Sequence, residues 1–229
     1  MDIKNTVKVL IIVAHTDDET LGMGGSIARH SKNGEDVYAM SMTNGVGSRD
    51  SINKLDIDKR SKASIEASKV LGFKWLDSLS YPDNKLDSVP LLDIVKNLEN
   101  VKSVLNPDLI YTHTSADLNI DHRMVNQAVL TAFRPQPNEN WSEIRTFEVP
   151  SSTDYGHSSV TNSYEPNLFI DISDFWELKL KAMEKYSDEM REYPHSRSYH
   201  AIENLAKCRG NQNGLRYAES FQVLKRILR

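Results

Sequence analysis

Cysteine is almost absent: Cys208 is the only one in 229 residues. The chain therefore has no internal disulfide and no Cys-based zinc module, and nothing in it demands an oxidising compartment. Long hydrophobic runs are missing too. The longest clean one, Val9 to Ala14, falls far short of the ~20 residues that a membrane span needs, so no integral membrane segment is expected. The start, Met1-Asp2-Ile3-Lys4, lacks the basic stretch and small-residue cleavage site of a secretion signal. There is no surplus of positive charge: 28 Lys and Arg face 32 Asp and Glu, for a formal charge of −4. That balance argues against binding driven by phosphate neutralisation, and no nucleic-acid partner is expected. With no repeats, low-complexity segments or linkers, the expectation is one cytoplasmic domain over residues 1–229, with 39% hydrophobic residues to build its core.

What the chain does have is alternation. Val7 to Ala14, β-branched and nearly all apolar, reads as a buried central strand of a parallel sheet. Small and apolar residues at helical spacing follow from Leu21 to Gly34, and Asp36 to Thr43 reads as a second strand. The pattern continues with a helix over Lys59 to Leu71, a short strand over Phe73 to Leu76 and a helix over Leu91 to Leu105. A strand over Leu109 to Thr112 and a helix over His122 to Phe133 complete the series. Such alternation predicts an α/β fold, a Rossmann-like three-layer sandwich with a mostly parallel sheet and helices on both faces. Beyond Pro137, Ile144 to Val149 and Leu168 to Ile172 read as strands, separated by a long polar loop, Ser151 to Asn167. Ser173-Asp174 is placed to cap a helix running to about Met190, and the tail, Ala201 to Cys208 and Leu215 to Leu228, reads as further helix. The polar loop is also a candidate homo-oligomer interface.

Chemistry concentrates in two places. The first strand runs directly into Ala14-His15-Thr16-Asp17-Asp18-Glu19. In open parallel sheets ligands bind beyond the carboxyl ends of the strands. Three carboxylates crowded there repel one another unless something positive sits among them, and a divalent metal is the simplest answer. The fourth strand likewise runs into His113-Thr114-Ser115-Ala116-Asp117-Leu118-Asn119-Ile120-Asp121-His122. The two strands can be neighbours in this topology, so both clusters can face one crevice. Two imidazoles and a carboxylate with open positions for water suit catalytic Zn2+, with His15, Asp18 and His122 as ligands. Asp17 beside them is placed to act as general base, since zinc lowers the pKa of its water to about 7. These parts describe hydrolysis of an amide or ester. The same donor set suits Fe2+, so a non-haem iron oxygenase is the alternative enzyme class. A metal- or sugar-binding module without catalysis is the alternative outside enzymes.

The first cluster resembles the Ala-His-Pro-Asp-Asp-Glu signature of the PIG-L/LmbE-like deacetylases. Thr43-Asn44-Gly45, the Asp121-His122 pair, Arg209-Gly210 and Tyr217-Ala218-Glu219-Ser220-Phe221 follow in that family's order, so the resemblance covers nearly the whole chain. It implies a zinc-dependent hydrolase that removes the acetyl group from an N-acetylglucosamine-type sugar, a nucleotide sugar or a glycoconjugate. By position, His15, Asp18 and His122 match the family's zinc ligands and Asp17 its catalytic base. Asp121 matches the acid that supports the site beside the last ligand. Arg60 and Asp83 fall where the family holds sugar hydroxyls, and His195 and Arg197 lie near a segment that family members share, as substrate contacts or as ordinary loop residues. Three positions depart from the pattern. Thr16 replaces a proline and should cost loop stiffness, and Ala63 replaces a common glutamate. Asn119 stands where many members carry a histidine that stabilises the oxyanion or protonates the leaving amine. Asn119 can donate a hydrogen bond but cannot shuttle a proton, so either another group, such as His113 or Asp17, acts as the acid or the enzyme relies more on zinc.

Other conspicuous residues have ordinary readings. His30 and His157 are expected to be packing or surface residues. Gly22, Gly24 and Gly25 suit close helix–sheet packing rather than a phosphate turn, because the acidic cluster intervenes after the strand. Trp75 and Trp176 are core candidates, Trp141 is core or a sugar-stacking surface, and Cys208 is expected to pack rather than react.

Overall fold

The computed structural model describes residues 6–43, 45–47, 54–157 and 162–228. Seven strands form one sheet: β1 (Lys8–Val13), β2 (Asp36–Ser41), β3 (Lys74–Trp75), β4 (Leu109–His113), β5 (Glu143–Phe147), β6 (Leu168–Asp171) and β7 (Ala218–Arg226). Their order is β3-β2-β1-β4-β5-β7-β6. The first five are parallel, and β7 lies antiparallel between β5 and β6. The helices are α1 (Asp18–Lys32), α2 (Lys54–Leu71), α3 (Leu91–Leu105), α4 (Ile120–Ala132), α5 (Trp176–Lys185) and α6 (Tyr199–Asn211).

Period-two alternation along β1 builds both halves of the core. Val9, Ile11 and Val13 point into the cluster shared with α1, α2, α5 and α6, including Leu21, Ala67, Met183 and Ile202. Leu10, Ile12 and Ala14 point to the opposite cluster, where α3 and α4 supply Ile94, Leu98, Val125 and Val129. These layers are the expected three-layer sandwich. Chain order reverses between β1 and β4, so the crevice beyond their carboxyl ends is the switch point where such sheets bind ligands.

Helix α1 starts directly at the acidic cluster and kinks at Met23, whose backbone leaves the helical region. The buried carboxylate of Glu219 caps the second half, accepting the N–H groups of Gly25 and Ser26 at 2.9 and 2.7 Å, and Lys179 Nζ pairs with it at 2.6 Å. Close packing explains the small residues: a Cβ on Gly22 would lie 2.5 Å from Phe147. Three expectations fail here. Ser173-Asp174 does not cap α5, which starts at Trp176 without a side-chain cap and ends at Lys185, short of Met190. Leu215 to Leu228 is not helix; most of it is β7, a central strand hydrogen-bonded on both sides. Its Gln, Leu, Lys and Arg are good helix formers, but the two open strand edges beside it override propensity. Cys208 is exposed on α6 and does not pack. Trp141, by contrast, is buried at 1% exposure and offers no face to a sugar. Trp176 is buried against Tyr217, and Trp75 packs beside Phe73 at the edge of the first cluster.

Candidate metal centre and active site

Each residue of the centre comes from the carboxyl end of a strand or the first turn of the helix after it. His15 follows β1 and Asp18 opens α1; His113 ends β4, and His122 sits in the first turn of α4. The fold brings the three expected ligands together in the interior. His15 Nδ1 is 3.4 Å from Asp18 Oδ2, His122 Nε2 is 3.4 Å from the same oxygen, and the two nitrogens are 3.3 Å apart. These separations are too long for good hydrogen bonds. Donors about 2.0–2.2 Å from one ion at tetrahedral angles stand about 3.3–3.6 Å apart, and this triangle matches that spacing. Asp18 Oδ1 is buried with no hydrogen-bond partner. The donor set, its spacing and the orphaned oxygen all fit a bound divalent metal.

The far nitrogen of each ligand imidazole meets a carboxylate. His15 Nε2 lies 3.0 Å from Asp83 Oδ1 and 3.2 Å from Asp121 Oδ2. Asp121 is anchored by the N–H groups of Asn84 and Leu86, at 2.7 and 2.9 Å. It therefore supports His15 rather than the adjacent His122. His122 Nδ1 is 3.1 Å from Asp117 Oδ2. Burial alone would lower the His122 pKa, but Asp18 and Asp117 overcome it and raise it to about 9. His15 is raised as well: burial opposes its charge, and the carboxylates of Asp121, Asp18 and Asp83 around it outweigh that.

Asp17 is buried beside the triangle, each of its oxygens facing a guanidinium: Oδ1 2.8 Å from Arg60 Nη2, and Oδ2 3.3 Å from Arg197 Nη1. Arg60 reaches from α2, pairs also with Glu189 at 2.7 Å, and donates from Nε to the Thr16 hydroxyl at 3.0 Å. Thr16 thus anchors Arg60, a task the usual proline could not perform. Burial works against the Arg60 charge, but Asp17 and Glu189 raise its pKa nonetheless. Gly45, at φ +69, lets the chain turn where a Cβ would press on Arg60 and His15 at 3.2 and 3.3 Å. Asn44 of the same segment lies outside the described residues.

A cleft of about 190 Å³ reaches the triangle at His15 and is lined also by Asp17, Arg60, Asp83, Asn119 and Arg197, among others, while Asp18 and His122 lie buried behind it. Asn119 caps α4, accepting the Asp121 N–H at 2.8 Å and donating from Nδ2 to Asn84 at 3.1 Å. His113 differs from its expected role as an acid. Its ring is fully buried beneath His122, 3.8 Å between centroids, and Nε2 accepts the Ala14 N–H at 2.9 Å. Burial, with the His122 charge beside it, lowers its pKa to about 4, so it is neutral near pH 7 and out of reach of a leaving group. His195 is not among the cleft residues; it faces Tyr155 and accepts the Arg197 N–H at 3.0 Å. His157 is exposed, and Ala63 packs against the first core cluster.

Sequence reasoning missed three participants. Asp117 lay in the second cluster without a role, and its contact with His122 could have been sought as the carboxylate that a ligand histidine needs. Glu189 and Arg191 come from the segment between α5 and α6, which carries no local signal of a site. The remaining shared motifs are structural. Arg209 forms a bidentate pair with Glu148 at 2.9 and 2.8 Å, and Glu219 caps the kinked helix.

Residues 10–133 match the family PIG-L, described as GlcNAc-PI de-N-acetylase. The diacetylchitobiose deacetylase of Thermococcus kodakarensis is 28% identical over 96% of this chain and 84% of its own length. An uncharacterized deacetylase of Escherichia coli, YaiS, is 32% identical over 78% of this chain and 89% of its own. The solved structure of N,N'-diacetylchitobiose deacetylase from Pyrococcus horikoshii superimposes with a TM-score of 0.77 at 26% identity, covering 97% of this chain and 85% of that one.

Proposed function

The chain belongs to the PIG-L family, and from that premise we propose that it is a zinc-dependent N-deacetylase acting on an N-acetylated amino sugar or its conjugate. The observation that carries this reading is the donor triangle of His15, Asp18 and His122, with Asp17 beside it at the floor of an open cleft. The curated relatives named as deacetylases support the reaction, and the diacetylchitobiose enzyme supports the sugar. His15, Asp18 and His122 would hold the zinc ion, which when bound would supply a Lewis acid for lowering the pKa of water to about 7 and polarising a carbonyl.

The remaining chemistry belongs to the side chains. Water adds to the acetamide carbon, the carbon–nitrogen bond breaks, and acetate and a free amine leave. Asp17 takes the proton of the attacking water at Oδ2, the oxygen with the longer guanidinium contact, while Arg60 keeps Oδ1 oriented. With Asn119 unable to transfer protons and His113 buried, Asp17 returns that proton to the leaving nitrogen. Asn119 Nδ2, Arg60, Asp83 and Arg197 face the cleft, where they present donors and acceptors to sugar hydroxyls and the acyl oxygen. Among the described residues no helix is long and apolar enough to cross a membrane.

The test is acetate release from N-acetylglucosamine and diacetylchitobiose, paired with metal analysis. Activity should vanish with a chelator and return with zinc. Equal turnover by metal-free and metal-loaded protein would overturn the assignment, and oxygen consumption on iron loading would favour the oxygenase.

A further inference from the structure

Asp117 takes no part in the chemistry above, yet its carboxylate is among the most fully engaged in the protein. It is 3% exposed, in the loop between β4 and α4, five residues before His122. Four groups converge on its two oxygens. The Asn119 N–H donates to Oδ1 at 2.8 Å, and the Ser152 hydroxyl donates to the same oxygen. The Thr153 hydroxyl donates to Oδ2 at 2.7 Å, and His122 Nδ1 lies 3.1 Å from that oxygen. The Ser152 oxygen is 3.4 Å from Nδ1, so Asp117 is the nearer acceptor for the imidazole.

We propose that Asp117 is a positioning residue for the metal centre, holding His122 in the tautomer and orientation that aim Nε2 at the donor triangle. The inference rests on the metal-centre reading above. With the proton on Nδ1 and facing Asp117, Nε2 keeps its lone pair toward Asp18 and His15. Every group around Asp117 then donates, and only an ionised carboxylate accepts on both oxygens. An asparagine would turn its NH2 toward at least one of these donors, so the cradle discriminates between Asp and Asn. Ser152 and Thr153 follow β5, so the carboxylate also ties that loop to a ligand. Outer partners of ligand histidines commonly set metal affinity.

Zinc affinity of the full chain, measured by competition with a chromogenic chelator, tests this. The D117N variant should bind zinc about 10–100-fold more weakly than wild type. Its cobalt-loaded form should show an altered visible band, while the far-UV circular dichroism of the metal-free chain stays as wild type. A merely structural role would alter the dichroism and melting of the metal-free chain and leave affinity and the cobalt band alone. If D117N does not fold, S152A carries the test, with a smaller weakening of the same sign. Wild-type affinity and an unchanged cobalt band in the folded variant would overturn the proposal. A wild-type chain that binds no zinc would instead overturn the metal-centre reading itself.

Discussion

The two ends of the sheet hold clusters of the same residue types, largely half-buried at one end and buried at the other, and treat them in opposite ways. Toward the amino ends of the strands, His30 contacts Glu35 through Nδ1, and its Nε2 lies 2.9 Å from the Tyr111 hydroxyl. Arg145 donates to that hydroxyl and to Glu143, both at 2.5 Å, and Glu143 accepts from Arg226 at 2.5 Å. Contacts there are at hydrogen-bond distance, and the charges close on one another. At the carboxyl ends the key atoms stand 3.3–3.4 Å apart around Asp18, one of whose oxygens has no partner. The two histidines shift in opposite directions. Burial, helped by Arg145 and Arg29, lowers His30 despite Glu35, whereas Asp18 and Asp117 raise His122 against burial. A closed network is structure; an open triangle of donors with surplus negative charge is a place for a cation.

The comparison breaks most severely if the open end needs no metal. H15A removes one corner of the triangle and should abolish zinc binding at micromolar metal, with acetate release falling to background. Retained stoichiometric zinc on metal analysis would mean that the triangle is not the ligand set. D17N sharpens the point within the same end. Zinc content should stay near wild type while kcat falls about 10²–10⁴-fold, the usual contribution of a general base. Full turnover would remove Asp17 from that role.

Much of this was readable in advance, for physical reasons. A fully buried parallel strand must be a continuous apolar run, so Val9 to Ala14 announced β1, and polar residues immediately after it had to face the switch point. Close spacing also exposed His15, Asp17 and Asp18. What stayed hidden depends on parts of the chain far apart in sequence. Nothing around Asp83 says that its carboxylate will touch His15 Nε2, and nothing around Glu189 says that it will meet Arg60. The strand β7 was hidden because its residues favour helix, and only the edges of β5 and β6 make it extended. Asn119 read as a lost catalytic histidine, and the structure adds that an asparagine there caps α4.

A pH titration separates the ends without mutation. Metal binding needs His122 neutral, and in the metal-free chain its pKa stands near 9. His15, the other imidazole ligand, is raised as well, so apparent zinc affinity should rise with pH by at most about tenfold per unit for each proton displaced, two in all. The metal-free fold runs the other way: the raised His122 pKa adds stability that is full below about 6.5 and is lost as pH climbs toward 9. Chelator competition at several pH values checks the first, and denaturant unfolding of the metal-free chain the second. A flat affinity profile would mean that neither His15 nor His122 holds a proton for the metal to displace.

The smallest effect belongs to the closed end. H30Q leaves Glu35 and Tyr111 each without one partner and should cost about 1–3 kcal/mol in denaturant unfolding, with zinc affinity and kcat unchanged. The sign of its pH dependence is opposite to that of His122. His30 is less basic in the fold than in the unfolded chain, so below about 6.5 the unfolded chain binds more protons. Its contribution is complete above that pH and is lost as the pH falls toward the folded value. The gap between wild type and H30Q should therefore narrow on acidification from pH 8 to pH 5. A gap that widens would mean that His30 is protonated against Glu35 in the fold, and the two ends of the sheet would then hold their histidines alike.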